Sequence, residues 1–353
     1  MKMQEMLKGY KPDLDSVQVA GNMVVIPLVS EQEFTNAVGE VNEVRLRRDI
    51  DYGSMEFENQ SGRIGILMQG ATIITRQSAQ DRTIPRATIL KGKGTERVHA
   101  FCVQSSQGGY MDASGIKDEF EDAPFQILPP TLRRDALMES AGGKSGYSRL
   151  WKSLERYSGT FHGVRSSSHL HHIYDRYKDS LDHFVAQFEP VPNQLGAIVL
   201  IDGAVVAVDI VPTYDSWKKV WRTLIRDSYG VEAVRTQAQE HGGGVVFNYA
   251  LKEEEVTDLD SLEAEMHRAV SDLVNAIRQQ WAKVSDESVV QQVEKTIEGV
   301  RLLKVKTGAF MGQAVVHDEH VVYMSLVPEG STRENKPKFE RKSKTYSNDD
   351  FSF

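Results

Sequence analysis

LGAIVLIDGAVVAVDIV, residues 195–211, decides the architecture, because two apolar runs meet at Asp202-Gly203. Asp-Gly tolerates the positive φ of a tight turn, so the stretch reads as a buried hairpin. Pro212 and Asp215-Ser216 then introduce a helix on which Trp217, Val220, Trp221, Leu224 and Ile225 recur at helical spacing, with Arg226 and Tyr229 at its far end. These aromatics lie on the stripe expected to pack on a sheet, and they read as core rather than as a box for stacking a ligand.

Upstream of the hairpin, residues 21–104 read as strands. Residues 23–29 are an apolar run, 54–58 alternate, and 65–68, 87–90 and 97–103 add short apolar segments between Gly, Pro and charged turns. The pattern suggests a β-sandwich or partly open barrel. Lys91-Gly92-Lys93-Gly94 reads as a hairpin turn rather than a phosphate loop, since no glycine-rich fingerprint there is followed by a helix. Residues 112–130 have the acidic, proline-bearing composition of a connector, and 131–140 and 148–156 read as short helices. Gly143-Lys144-Ser145 lacks the preceding glycine and strand of a nucleotide-binding P-loop, and that reading is rejected.

Downstream, residues 259–284 form the strongest helix, with Leu262, Met266, Ala269, Leu273, Ala276 and Ile277 on one stripe and Asp260 with Glu263 as the capping pattern. Residues 287–299 read as a second amphipathic helix folding back on the first, a pair suited to bracing the lobe or making a homo-oligomer. Strands at 302–305 and 313–326 close the lobe, with His317-Asp318-Glu319-His320 as a hairpin turn rather than a ligand set. From Glu329 the chain turns polar and holds too few apolar residues to fold.

The expectation is an α+β protein. An N-terminal arm, 1–20, precedes a β-rich lobe, 21–111, a connector, 112–147, an α+β lobe, 148–328, with a helical insertion at 255–299, and a disordered tail, 329–353. A chain of 353 residues with 40% hydrophobic content exceeds what one core usually serves, which is why two lobes are expected. No apolar run approaches a membrane span and the N-terminus lacks a signal-peptide core, so a cytoplasmic protein is expected. One cysteine cannot make an internal disulfide or a thiolate-rich zinc site. A net charge of -8 disfavours bulk electrostatic binding of nucleic acid, although the basic stretch before the acidic-aromatic end, Asp349-Asp350-Phe351-Ser352-Phe353, leaves a local contact to nucleic acid or a DNA-associated protein open.

The unusual chemistry is concentrated in residues 70–110. Gln69-Gly70-Ala71, Gln80-Asp81-Arg82, Cys102-Val103-Gln104 and Gly108-Gly109-Tyr110 follow one another there, and Leu224-Ile225-Arg226-Asp227-Ser228-Tyr229 with Ala233 follows the hairpin. In order and spacing these resemble the ARPP family, the ARG and rhodanese-phosphatase-superfamily-associated protein domain, over roughly residues 21–328. Members carry Gly-Glu, Gln-Asn-Arg, Cys-Val-Glu, Gly-Arg-Trp and a Leu-Arg-Ser-Tyr helix. Two acids of that pattern are Ala71 and Gln104 here, which marks a divergent member and tilts the expectation from catalysis toward binding. The resemblance implies a link to NAD-derived nucleotide or ADP-ribose metabolism.

Read as chemistry, Arg82 and Arg86 can grip a diphosphate, Gln80 and Gln104 can read ribose hydroxyls or a base amide, and Tyr110 can stack on a ring. Asp81 completes the cluster, and Arg226 and Tyr229 join it from the second motif. A self-satisfied polar turn at Gln80-Asp81-Arg82 is the competing reading. Cys102 reads as a structural thiol, because its local sequence shows no base or cation to activate it. His162, His169, His171, His172 and His183 cluster without a His-x-x-x-His pair, so no metal and no cofactor is expected. Three functions stay open: a nucleotide or ADP-ribose binding protein, an ADP-ribosyl-directed hydrolase or transferase, and an interaction protein recruiting a DNA-associated partner through its tail.

Overall fold

The structure is a computed structural model that describes all residues except 35–37, 52, 74–80, 104–124, 142–149, 165–168, 242–256 and 331–353. The Asp202-Gly203 hairpin forms as its sequence dictates. Strands Gln194–Ile201 and Ala204–Ile210 pair antiparallel with Ile201 opposite Ala204, and the two turn residues take φ +50 and +76. Every residue of both strands is buried.

The hairpin lies inside a nine-stranded antiparallel sheet. Met23–Val29 flanks Gln194–Ile201, and Lys11–Pro12 and Gln18–Ala20 pair with Met23–Val29 in turn. On the other side follow His320–Pro328, Phe310–His317, Val300–Lys306 and Val290–Ile297. Successive side chains of a strand point to opposite faces, so a run apolar at every position must serve two cores. It does: Val25, Ala197, Val199, Val206 and Tyr323 enter one core, and Val24, Ile26, Ile198, Leu200, Val208 and Met324 the other. Each such aliphatic side chain contributes about 1.5–3 kcal/mol on full burial.

The first core is covered by three small sheets and a layer of helices. Thr88–Leu90, Ile64–Leu67 and Val38–Val41 form one sheet, and Gly94–His99, Ser54–Asn59 and Arg45–Asp51 a second. Phe101–Cys102, Arg82–Thr83, Ala71–Ile73 and Gln126–Ile127 form the third. None of the sheets closes into a barrel among the described residues. The second core is covered by Met3–Met6, which gives Met3 and Met6, and by the long helix Leu259–Asp286, which gives Ile277 and Val284. The α+β class holds, and one continuous core joins residues from Ala20 to Tyr323.

Several local expectations change. The segment read as a second helix is the edge strand Val290–Ile297, turned back by Glu298 and Gly299 at φ +49 and +82. Its apolar residues Val290, Val293 and Ile297 fit a helical stripe, but backbone pairing with Val300–Lys306 wins. The 91–94 turn is real, with Lys93 at φ +52, yet it links strands of different sheets rather than closing a hairpin. The long helix is capped by Asp258, whose carboxylate accepts from the Ser261 amide at 2.8 Å, rather than by Asp260. The turn at Asp318 and Glu319 forms as expected, both at positive φ. The expectations for residues 331–353, and for 112–124 and 142–147 of the connector, lie outside the described residues.

Helix Tyr214–Thr223 is capped by Thr213, whose hydroxyl accepts from the Ser216 amide at 3.0 Å. Trp217, Val220, Trp221, Leu224 and Ile225 are all buried as core, as their spacing predicts. The helix then widens into a π turn, Leu224–Gly230, before continuing as Val231–His241. A Cβ on Gly230 would stand 2.6 Å from the Ile225 carbonyl oxygen, so the wide turn requires glycine there.

Candidate functional site

Arg133, on helix Pro130–Ala141, runs beneath the π turn to Asp209 at the centre of the large sheet. Its Nη1 donates to both Asp209 oxygens, at 2.8 and 3.0 Å, and to Ser325 Oγ at 2.9 Å. Tyr229 donates its hydroxyl to Asp209 Oδ2 at 2.5 Å, and Ser228 donates to the Leu128 carbonyl at 2.8 Å. Burial opposes the Arg133 charge, but Asp209 and the neighbouring hydroxyls more than offset it and hold its pKa above the ordinary value. Gly70, at φ +76, lets the Arg133 stem pass, since a Cβ would stand 2.7 Å from its Cγ. Thus the Gly70 motif and the Arg-Asp-Ser-Tyr motif meet around one buried guanidinium.

A second network lies nearer the surface. Buried Glu232 accepts from Thr131 Oγ1 at 2.7 Å, Tyr157 Oη at 3.1 Å and Arg235 Nε at 3.0 Å. Burial alone would raise the Glu232 carboxyl, but Arg235 and these donors bring it below the usual range. Above it opens a cleft of about 480 Å³ that includes Arg134, Arg156, Tyr157 and Arg235. Arg235 is committed to Glu232 and Arg134 to Asp135 at 2.8 Å, while Arg156 donates to Ser153 Oγ at 3.0 Å.

The Asp81 corner differs. Strand Arg82–Thr83 is held between Ala71–Ile73 and Phe101–Cys102, and the Asp81 carbonyl accepts from the Val103 amide at 3.0 Å. Asp81 is fully buried and Arg82 is 4% exposed. Against them packs helix Leu170–Arg176, whose Leu170, Ile173 and Tyr174 are buried on one face. The backbone is extended at His169 and helical from Leu170, which brings ligand atoms of His169, His171 and Asp81 within 4.8 Å of one another. Burial, with His172 nearby, lowers the His169 pKa. The Tyr174 hydroxyl is buried without a hydrogen-bond partner, and burial together with the Asp227 and Asp81 charges pushes it well above the ordinary tyrosine value.

Of the residues expected from sequence, Asp81 and Arg82 therefore share a corner, and Arg226 approaches it through Asp227, to which it donates at 2.7 Å. Arg226 also reaches Asp182 at 3.1 Å. Tyr229 points into the Arg133–Asp209 network, and Arg86 pairs with Glu294 at the edge strand. Gln80, Gln104 and Tyr110 lie outside the described residues. Ala71, in place of the family acid, is buried in its strand opposite Ile127. Arg82 is the cross-strand partner of Cys102 and its guanidinium contacts the sulfur, a cationic setting absent from the cysteine's own segment. In the sequence His169 and His171 stand in the histidine cluster but are set aside as ligands for want of a His-x-x-x-His pair, and Tyr174 is not singled out, because only folding brings Asp81 to them. The short His-x-His spacing, entering a helix from extended chain, was the available signal.

A family model described as ARPP-1, ARG and Rhodanese-Phosphatase-superfamily-associated Protein domain, matches residues 11–327. No curated protein and no solved structure matches.

Proposed function

The chain belongs to the ARG and Rhodanese-Phosphatase-superfamily-associated Protein domain family, and from that premise we propose that it binds a phosphorylated ligand of the nucleotide or ADP-ribose type at the Asp81–Arg82 corner. The observation that carries the reading is the hydrogen-bonding capacity left over there. The Tyr174 hydroxyl and His169 Nδ1 are buried without hydrogen-bond partners beside Asp81. A folded chain rarely leaves such groups unmade, since each costs about 1–3 kcal/mol. A polar ligand offsets that cost. Arg82 supplies a planar cation suited to a diphosphate, and the charge of Arg226 is felt at Tyr174.

A hydrolytic reading is favoured by one observation, the facing of Asp81 by two imidazoles. A carboxylate that orients a histidine is a common general-base arrangement, and the acids missing at Ala71 and Gln104 would then be replaced by Asp81.

The test is a thermal-shift panel of NAD, ADP-ribose, AMP and nicotinamide mononucleotide on the full chain, followed by calorimetry. A ligand at a hundred times its dissociation constant raises stability by about 2.7 kcal/mol. A shift with ADP-ribose that is lost in Tyr174→Phe, with the variant still folded, supports the site. No shift with any of the four removes the reading, and turnover of ADP-ribose or NAD by the parent chain decides for hydrolysis.

A further inference from the structure

Asp81, His169 and His171 come from chain segments about ninety residues apart, yet one carboxylate oxygen and two imidazole nitrogens lie within 4.8 Å of one another. Ligands on one tetrahedral zinc, each about 2.0–2.1 Å from the ion, stand roughly 3.3 Å apart, so small side-chain rotations bring these three to a common centre. The corner is built to hold them. Asp81 is buried and pinned through its own carbonyl by the Val103 amide at 3.0 Å. Leu170 and Ile173 anchor the start of the histidine helix in the core.

Two further buried groups offer hydrogen-bonding capacity. His169 Nδ1 is buried with no hydrogen-bond partner. The Tyr174 hydroxyl, on a residue only 4% exposed, is likewise unpartnered. His183, on helix Lys178–Gln187, is exposed and stands outside the triad, which makes it an internal control, whereas the His172 ring contacts those of His169 and His171.

We propose that Asp81, His169 and His171 form a binding site for one divalent transition-metal ion. Two imidazoles and one carboxylate are the donor set of zinc, iron(II), manganese and related ions, whereas magnesium and calcium prefer all-oxygen sites. Three protein ligands leave at least one coordination position open. A phosphate oxygen or a water molecule are the groups such a position takes. The site shares its corner with the proposed phosphorylated-ligand site but does not depend on that reading.

The experiment is a titration of the full, chelator-treated chain with Zn²⁺ by calorimetry and with Co²⁺ by visible absorption, with no nucleotide present. One equivalent per chain is expected, with His–Co²⁺ absorption of low-coordinate type. His171→Ala should weaken Zn²⁺ by more than the about 10–100-fold that losing an outer partner costs, while His183→Ala binds as the parent does. Asp81→Asn should do the same as His171→Ala. Because Asp81 is buried, melting temperature is read on each variant, and the partly exposed His171 keeps the test decisive if Asp81→Asn fails to fold. Absence of a bound equivalent overturns the proposal, as does equal weakening by His171→Ala and His183→Ala. A nucleotide that binds the chain while Zn²⁺ does not would sink this proposal alone, and the reverse result would sink only the ligand reading.

Discussion

Arg133 and Asp209 form an ion pair at 2.8 Å in which neither side chain has any exposed surface. Such a pair is a poor source of net stability, because removing two charges from water costs several kcal/mol before attraction repays it. Its value lies in geometry: the guanidinium ties helix Pro130–Ala141, the central strand, the π turn and Ser325 to one point.

Breaking the pair from one side leaves a bare buried charge. Arg133→Met and Asp209→Asn should therefore each lower the unfolding free energy by about 3–5 kcal/mol. Lys178→Ala, which removes an exposed pair with Asp182, should cost no more than about 1 kcal/mol. Urea unfolding of the three variants, compared at unchanged slope, checks the contrast.

Asp227 gives a pH signature. Burial pushes its carboxyl from 3.8 up to about 6 even though Arg226 lies 2.7 Å away and pulls it down. The native state thus keeps a proton that the unfolded chain has released. Between about pH 4 and 6 this group's contribution to stability falls as pH rises, by at most about 3 kcal/mol, and is level above pH 6. Asp227→Asn cannot titrate, so the difference in unfolding free energy between parent and variant should change across that window and nowhere else. A constant difference from pH 4 to 7 would contradict the assignment.

Two glycines should respond differently to alanine. At Gly230 the new Cβ meets the backbone oxygen of Ile225, which cannot move without opening the π turn, and a loss of about 1–3 kcal/mol is expected. At Gly203 nothing lies within 4 Å, and only the left-handed backbone resists, at about 1–2 kcal/mol. Thermal melting measures both. If the π turn serves the proposed site, Gly230→Ala should also weaken ADP-ribose binding beyond the lost folded fraction, and Gly203→Ala should not.

Arg82→Lys tests the diphosphate contact. A fork that binds two oxygens is not replaced by an ammonium, so Lys and Ala variants should lose similar affinity for ADP-ribose, about 1.5–3 kcal/mol. If Arg82 instead serves only the turn and its contact with Cys102, both variants will melt earlier and bind as the folded parent does. Calorimetry and melting on the same samples separate the two.

What the sequence made legible follows from where its signals are local. The 195–211 hairpin, the turn at Asp318 and Glu319 and the Trp217 stripe depend on neighbours within a few positions, and each formed as read. The edge strand at 290–297 failed because its apolar spacing is compatible with a helix and only its partner, Val300–Lys306, decides otherwise. The candidate site was half legible for the same reason. Asp81 and Arg82 stand out as residues, but Cys102, His169 and Tyr174 reach them through strand pairing and helix packing that no local pattern encodes.

The large sheet places Met23–Val29 directly against Gln194–Ile201, and the far side of the hairpin against His320–Pro328. On the ribosome this means that an apolar strand from the first tenth of the chain emerges long before its neighbour Gln194–Ile201 exists. The short strands Lys11–Pro12 and Gln18–Ala20 cover one edge at once, but the other edge must wait for Gln194–Ile201, and the loop so closed is among the slowest kinds of contact to form. Folding of this chain is thereby tied to completion of its C-terminal strands. Truncated translation products should be caught by chaperones, or aggregate, until residue 328 has cleared the exit tunnel.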